Sequence, residues 1–206
     1  MTQGLFIVIE GGEGAGKSTQ THLLAQHLET LGREVIVTRE PGGTPTAEKI
    51  RQILLDPETT DMPDQTEALL FAAARADHAH NLIRPAIERG AVVICDRYID
   101  SSVAYQGIGR GLGTQYIRSL SEWATSGLLP DFTIYLTVPL DESEHRMEGT
   151  DRMETQSREF HGMVHKAFDD IARTSEHSHA VIDGTASKEA VSQQILTALE
   201  GLLTTR

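Results

Sequence analysis

Short β-branched apolar runs alternate with amphipathic helical stretches along this chain. Five runs predict strands: Leu5–Glu10, Glu34–Thr38, Ala91–Asp96, Phe132–Val138 and Ala180–Ile182. After the first, Leu23, Leu24, Leu28 and Leu31 recur at helical spacing. The longest helical pattern runs from about Thr66 to Glu88 and opens with Asp64 and Glu67, spaced as a capping box. The last carries Val191, Ile195, Leu199 and Leu202–Leu203 on one face, with Ser187 as N-cap. This alternation predicts an α/β fold: a five-stranded parallel sheet with helices on both faces. In such sheets ligands bind beyond the carboxyl ends of the strands. Chemistry is therefore expected just after each strand.

The first strand runs into Gly11-Gly12-Glu13-Gly14-Ala15-Gly16-Lys17-Ser18, a full match to the phosphate-loop pattern. Background composition gives odds of roughly 0.7% for a chance match in a chain of this length, and the strand–loop–helix setting lowers them further. Gly11, Gly14 and Gly16 let backbone N–H groups approach phosphate oxygens at a helix N-terminus. Lys17 can reach the β- and γ-phosphates, and Ser18 can ligate Mg²⁺. Glu13 is unusual beside phosphate and is assigned a hydrogen bond to a substrate sugar hydroxyl.

Further polar residues follow the other strands. Arg39, in Thr38-Arg39-Glu40-Pro41-Gly42-Gly43, can hold phosphate bidentately. Asp96 ends the third strand, where an acidic group positions Mg²⁺, and Arg97 adds a second cation. Phe71, Arg75 and His78 fall at i, i+4 and i+7, so one helix face offers an aromatic ring and an arginine to a nucleobase. Gly107, Gly109 and Gly111 follow a polar helical turn rather than a strand, which argues for a flexible loop carrying Arg110 and against a dinucleotide fingerprint. The polar stretch 144–158 reads as a mobile lid bringing Arg146 and Arg152 over the phosphates. The histidines show no metal spacing.

A length of 206 residues suits one ordinary α/β domain over 1–206. A net charge of −12 disfavours a nucleic-acid polymer as partner but not a small phosphorylated substrate. Apolar runs are too short to span a membrane. Met1 leads directly into the first strand, so no secretory signal is expected, and the lone Cys95 fits a reducing cytoplasm. No guanine-reading Asn-Lys-x-Asp occurs, which weighs against a GTPase switch. A nucleoside kinase would leave Arg39 and Arg97 unexplained, and an assembly ATPase would leave the Phe71–Arg75 face without a role.

These motifs, together with Ala104-Tyr105-Gln106-Gly107 and Asp151-Arg152-Met153-Glu154, resemble the bacterial thymidylate kinase family from about Leu5 to the C-terminal helix. The resemblance implies a P-loop nucleoside monophosphate kinase fold, ATP-dependent phosphorylation of dTMP to dTDP with Mg²⁺, and a homodimer. It implies that Phe71 stacks on thymine and Arg75 hydrogen-bonds it. Tyr105 would occupy the space of a ribose 2′-hydroxyl, and Glu13 would meet the 3′-hydroxyl. Arg97, with Arg39 nearby, would hold the dTMP phosphate, and Asp96 would organise Mg²⁺. Ser101, Ser102 and Gln106 are candidates for base-edge contacts. The phosphate loop lacks an arginine, and relatives of that kind place several basic residues in the lid. Here Met147 and Glu148 occupy part of that region, which leaves Arg146 and Arg152, with the choice between them open.

Overall fold

Residue alternation in β1 (Leu5–Glu10) decides the layering. Leu5, Ile7 and Ile9 pack with Leu24 and Leu28 of α1 (Lys17–Thr30) and with Val191, Ile195 and Leu199 of α9 (Lys188–Thr205). Phe6 and Val8 point the other way, onto Ile83, Ala86, Tyr98 and Ile117. A strand buried on both faces reads as a continuous apolar run, as β1 does. The computed structural model describes residues 4–147 and 149–205.

The remaining strands are β2 (Val35–Arg39), β3 (Val92–Asp96), β4 (Phe132–Thr137) and β5 (His179–Asp183). They form one parallel sheet in the order β2-β3-β1-β4-β5. Register places Asp96 level with Ile9 on one side and with Arg39 on the other. The phosphate loop, Arg39 and Asp96–Arg97 therefore emerge side by side at one sheet edge. Cys95 is fully buried on β3, beside the sheet centre.

The other helices are α2 (Pro45–Leu55), α3 (Asp64–His78), α4 (Arg84–Glu88), α5 (Ile99–Ser102), α6 (Thr114–Ala124), α7 (Leu140–Arg146) and α8 (Arg158–Thr174). The long helix expected over 66–88 spans 64–88, with a π turn at Ala79–Ile83 inside it. Its expected capping box does not form. Pro63 is the N-cap without a side-chain bond, and Glu67 is buried among arginines instead. Ser187 does cap α9, accepting a bond from the Ala190 N–H at 3.2 Å. The segment expected to be a flexible loop around Arg110 is α5 continued by a π turn at Val103–Gly109. Arg110 is anchored there by Glu67 and by the Phe160 ring, 4.6 Å away. Among the described residues no helix is long and apolar enough to cross a membrane.

Candidate active site

The loop between β1 and α1 opens the site. Gly16 is the N-cap of α1 at φ 89°, with no side-chain bond, so the first-turn N–H groups are not capped from within. Gly14 has φ 66°, and a Cβ there would lie 2.6 Å from the Ser143 carbonyl oxygen and 3.1 Å from the Arg146 Cβ. Glycine at this position thus lets the end of α7 settle on the loop. Ser143 Oγ donates to the Glu13 carbonyl at 2.6 Å, and Arg146 Nη1 donates to the Gly14 carbonyl at 3.2 Å. Arg146 also pairs with Glu142.

Lys17 Nζ donates to the Gly12 carbonyl at 2.7 Å. Burial, reinforced by the positive Arg97, pushes the Lys17 ammonium below its ordinary pKa. Ser18 Oγ donates to Asp96 Oδ2 at 2.8 Å, which sets two hard oxygen ligands side by side at the loop. Among the described residues no cluster of three or more His, Cys, Asp or Glu could hold a metal alone. Two oxygen donors of this kind fit Mg²⁺, which commonly takes one or two protein ligands and completes its shell with phosphate oxygens and water.

Arg97 is the centre of the site. It adopts φ 69°, a left-handed conformation strained for a non-glycine residue. The turn is held by several bonds: the Arg97 N–H donates to the Ile9 carbonyl at 3.0 Å, and the Tyr98 N–H donates to Glu10 Oε1 at 2.8 Å. Ser101 Oγ also donates to Glu10, at 2.6 Å. Burial and the nearby Asp100 raise the Glu10 carboxyl to about 7.

The guanidinium of Arg97 donates through Nη1 to the Gly11 carbonyl at 2.9 Å and to Ser101 Oγ at 3.1 Å. Its Nη2 lies 2.7 Å from Glu13 Oε1 and 3.2 Å from the Tyr105 hydroxyl. The Tyr105 hydroxyl donates to Glu13 Oε1 at 3.1 Å. Burial would raise the Glu13 carboxyl, but Arg97 and Lys17 outweigh it and hold the value at about 2. Burial likewise opposes the charge on Arg97, and Glu13, Tyr105, Asp96 and Glu10 together more than offset it.

A cleft of about 750 Å³ runs from the phosphate loop past Arg97 to α3. Glu13, Gly14, Ala15, Gly16, Lys17 and Ser18 line one end, with Arg39, Asp96 and Arg146. Phe71, Arg75, Ser101, Ser102, Tyr105 and Gln106 line the other. Arg39 is half-exposed and pairs with Glu48 at 3.1 Å. Ser102 Oγ is buried with no hydrogen-bond partner among the described residues, a polar atom left for a ligand.

The stripe of Phe71, Arg75 and His78 divides. Phe71 and Arg75 line the cleft, whereas His78 is fully buried beneath it. Glu40, which the sequence did not single out, explains the arrangement. One carboxylate oxygen accepts from Arg75 Nε at 2.7 Å, and the other meets His78 Nδ1 at 3.0 Å. His78 Nε2 hydrogen-bonds Thr38 Oγ1 at 2.7 Å. Arg75 is 2% exposed, yet paired, because Glu40 neutralises it. It also donates to Ser121 Oγ at 3.0 Å and to the Tyr98 carbonyl at 2.9 Å. A guanidinium has more N–H donors than these bonds use.

Arg152, expected over the phosphates, lies elsewhere. Its Nη1 is 2.7 Å from Glu67 Oε2, and its Nε donates to the Leu54 carbonyl at 2.8 Å. The cleft wall nearby is made by Asp151, Met153 and Glu154. The buried Glu67 carboxylate and the Leu54 carbonyl in the last turn of α2 account for the difference. Of the two lid arginines, Arg146 is the one beside the phosphate loop; Glu148, also named for the lid, lies outside the described residues. His165 is a further residue the sequence did not flag. A Cβ on Gly12 would lie 2.4 Å from its Nε2, so the loop rests on this ring.

The chain matches the family model described as thymidylate kinase over residues 9–195. It is 46% identical to thymidylate kinase of Symbiobacterium thermophilum over 98% of this chain and 95% of that one. It is 50% identical to thymidylate kinase of Bifidobacterium longum over 91% of this chain and 93% of the relative. The crystal structure of thymidylate kinase from Ehrlichia chaffeensis superposes with a TM-score of 0.81 at 32% identity, covering 96% of this chain and 99% of that one.

Proposed function

Because the chain belongs to the thymidylate kinase family, we propose that it phosphorylates dTMP to dTDP with ATP and Mg²⁺ as partners in a direct transfer. One observation carries this reading: a single cleft joins the phosphate loop, through Arg97, to a pocket lined by Phe71, Arg75, Tyr105 and Gln106. The phosphate-loop end and the Phe71–Arg75 end of the cleft thus face each other across Arg97.

In this reading the backbone of Gly11–Gly16 and Lys17 hold the ATP phosphates. Arg97, with Arg39 at the rim, holds the dTMP phosphate. Phe71 stacks on thymine, Arg75 donates to its edge, and Ser101, Ser102 and Gln106 supply the remaining polar contacts. Tyr105 and Glu13 face the deoxyribose. An oxygen of the dTMP phosphate attacks the γ-phosphorus as the bond to the β–γ bridging oxygen breaks, releasing ADP. The nucleophile is already anionic, so no general base is needed. Ser18 and Asp96 would hold Mg²⁺, which neutralises phosphate charge when bound. Arg146, beside Gly14, is assigned the developing charge on the transferring group, and the 144–158 segment is assigned the lid that excludes water.

Exposed Leu69 on α3, and Tyr116 and Trp123 on the adjacent α6, support a homodimer through that face, testable by sedimentation. The buried, unreactive Cys95 accords with a cytoplasmic enzyme. The reading is tested by ADP release from ATP with dTMP, dUMP, UMP, dCMP and AMP. Preference for dTMP is expected, and equal or absent turnover with dTMP refutes it.

A further inference from the structure

Glu67 is 1% exposed, yet it lies on the helix that carries Phe71 and Arg75. Its two oxygens take every bond they are offered from three other side chains. Oε1 accepts from Gln106 Nε2 at 2.8 Å and Arg110 Nε at 3.2 Å. Oε2 accepts from Arg152 Nη1 at 2.7 Å and Arg110 Nη2 at 3.1 Å. Burial would favour its neutral form, but the bonds from Arg110 and Gln106 outweigh this and keep the carboxyl below its ordinary pKa. An ionised carboxylate only accepts hydrogen bonds. Gln106 must therefore turn its NH₂ toward Glu67. The side chain also lines the cleft, and with its NH₂ turned to Glu67 the amide oxygen is the acceptor it holds for a ligand.

We propose that Glu67 is a positioning residue that locks the Gln106 amide with its oxygen toward the base pocket, so that the enzyme selects a pyrimidine bearing a ring N–H over cytosine. The inference rests on the cleft being the dTMP site. Thymine and uracil present an N3–H donor that this oxygen accepts; cytosine presents a bare N3 and would set two acceptors against each other. The unused donors of Arg75 act in the same sense, since they suit the C4 carbonyl of thymine and repel the amino group of cytosine. Without Glu67, the Gln106 amide could rotate and present NH₂ to the cytosine N3, removing the discrimination at that edge. The same carboxylate holds Arg152, so the lid root and the specificity pocket share one anchor.

The experiment compares kcat/KM for dTMP and dCMP in the wild type, Glu67→Gln, Gln106→Leu and the double variant. The ratio of the two does not depend on the fraction of folded enzyme, so a destabilised variant remains informative. A fall of about 10-fold or more in the dTMP:dCMP ratio is expected in each single variant. The double variant is expected to match Gln106→Leu, because Glu67 acts through it. A glutamate with a structural role alone would lower yield or melting temperature and leave the ratio unchanged, which overturns the proposal. Losses that multiply in the double variant overturn it as well. Should Glu67→Gln not fold, Glu67→Asp withdraws the carboxylate from Gln106 while keeping the charge, and the same ratio decides. A wild type inactive on dTMP defeats the functional reading, whereas an active wild type with unchanged variant ratios defeats only this inference.

Discussion

Arg97 Nη2 stands 2.7 Å from Glu13 Oε1, so the cation assigned to the acceptor phosphate is already tethered to the phosphate loop. The Tyr105 hydroxyl touches both partners and completes a triangle at the middle of the cleft. Glu13 folded at about 2, against an ordinary 4.5, stabilises the native state at every pH above the higher value. As pH falls from about 4.5 toward about 2, the unfolded chain takes up a proton that the folded chain refuses, and the contribution disappears. In denaturant unfolding, the stability gap between wild type and Glu13→Gln should therefore narrow across that window. A gap constant from pH 6 to pH 3 contradicts the tether.

Lys17→Ala should lower kcat by about 10²-fold or more, as loss of a charge-stabilising donor does. The side chain donates to the Gly12 carbonyl and belongs to none of the apolar core clusters, so near-ultraviolet circular dichroism should be retained. Wild-type turnover in this variant would remove the phosphate loop from the mechanism.

Arg146 and Arg152 should separate cleanly. Arg146→Ala should reduce kcat by about 10³-fold, the scale of an arginine that meets transferring phosphoryl charge, with little change in melting temperature because its side chain is 36% exposed. Arg152→Ala should cost about 1–3 kcal/mol of stability, since it leaves Glu67 and the Leu54 carbonyl short of a donor. Its kcat should fall less than that of Arg146→Ala. The reverse ordering of the two kcat values would return Arg152 to the transferring phosphate.

Tyr105→Ala should lower the preference for dUMP over UMP, which differ only at the 2′ position, by about 10-fold. Tyr105→Phe keeps the ring that fills the space and should keep the preference, although it loses the bonds to Glu13 and Arg97. Equal preference in wild type and Tyr105→Ala would show that another group excludes the ribose.

Local pattern made much of this molecule readable. The β1 limits expected from apolar residues coincide with those observed, and the other strands differ by about a residue at their ends, because each is a short β-branched apolar run bounded by polar turns. The phosphate loop is legible for the same reason, since its function depends on consecutive residues. What stayed hidden depends on contacts across space. Glu67 sits in a capping pattern at the start of a helix, and no local signal says that Arg110 and Arg152 converge on it. Glu40 reads as part of a Pro-Gly turn, yet it neutralises Arg75 and braces His78. The π turn at Val103–Gly109 turns apparent loop glycines into an ordered wall, a result of packing on α6 and α8 that sequence spacing does not encode.

Cys95, the single cysteine, is fully buried between β2 and β1, and burial together with Glu40 and Asp96 pushes its thiol well above the ordinary range. Alkylating reagents act on the thiolate, so they can modify this sulfur only in molecules whose sheet has opened. The rate of labelling is therefore an internal clock for unfolding that needs no substrate. A second cysteine placed on the surface would take a dye selectively, with the native one left in position.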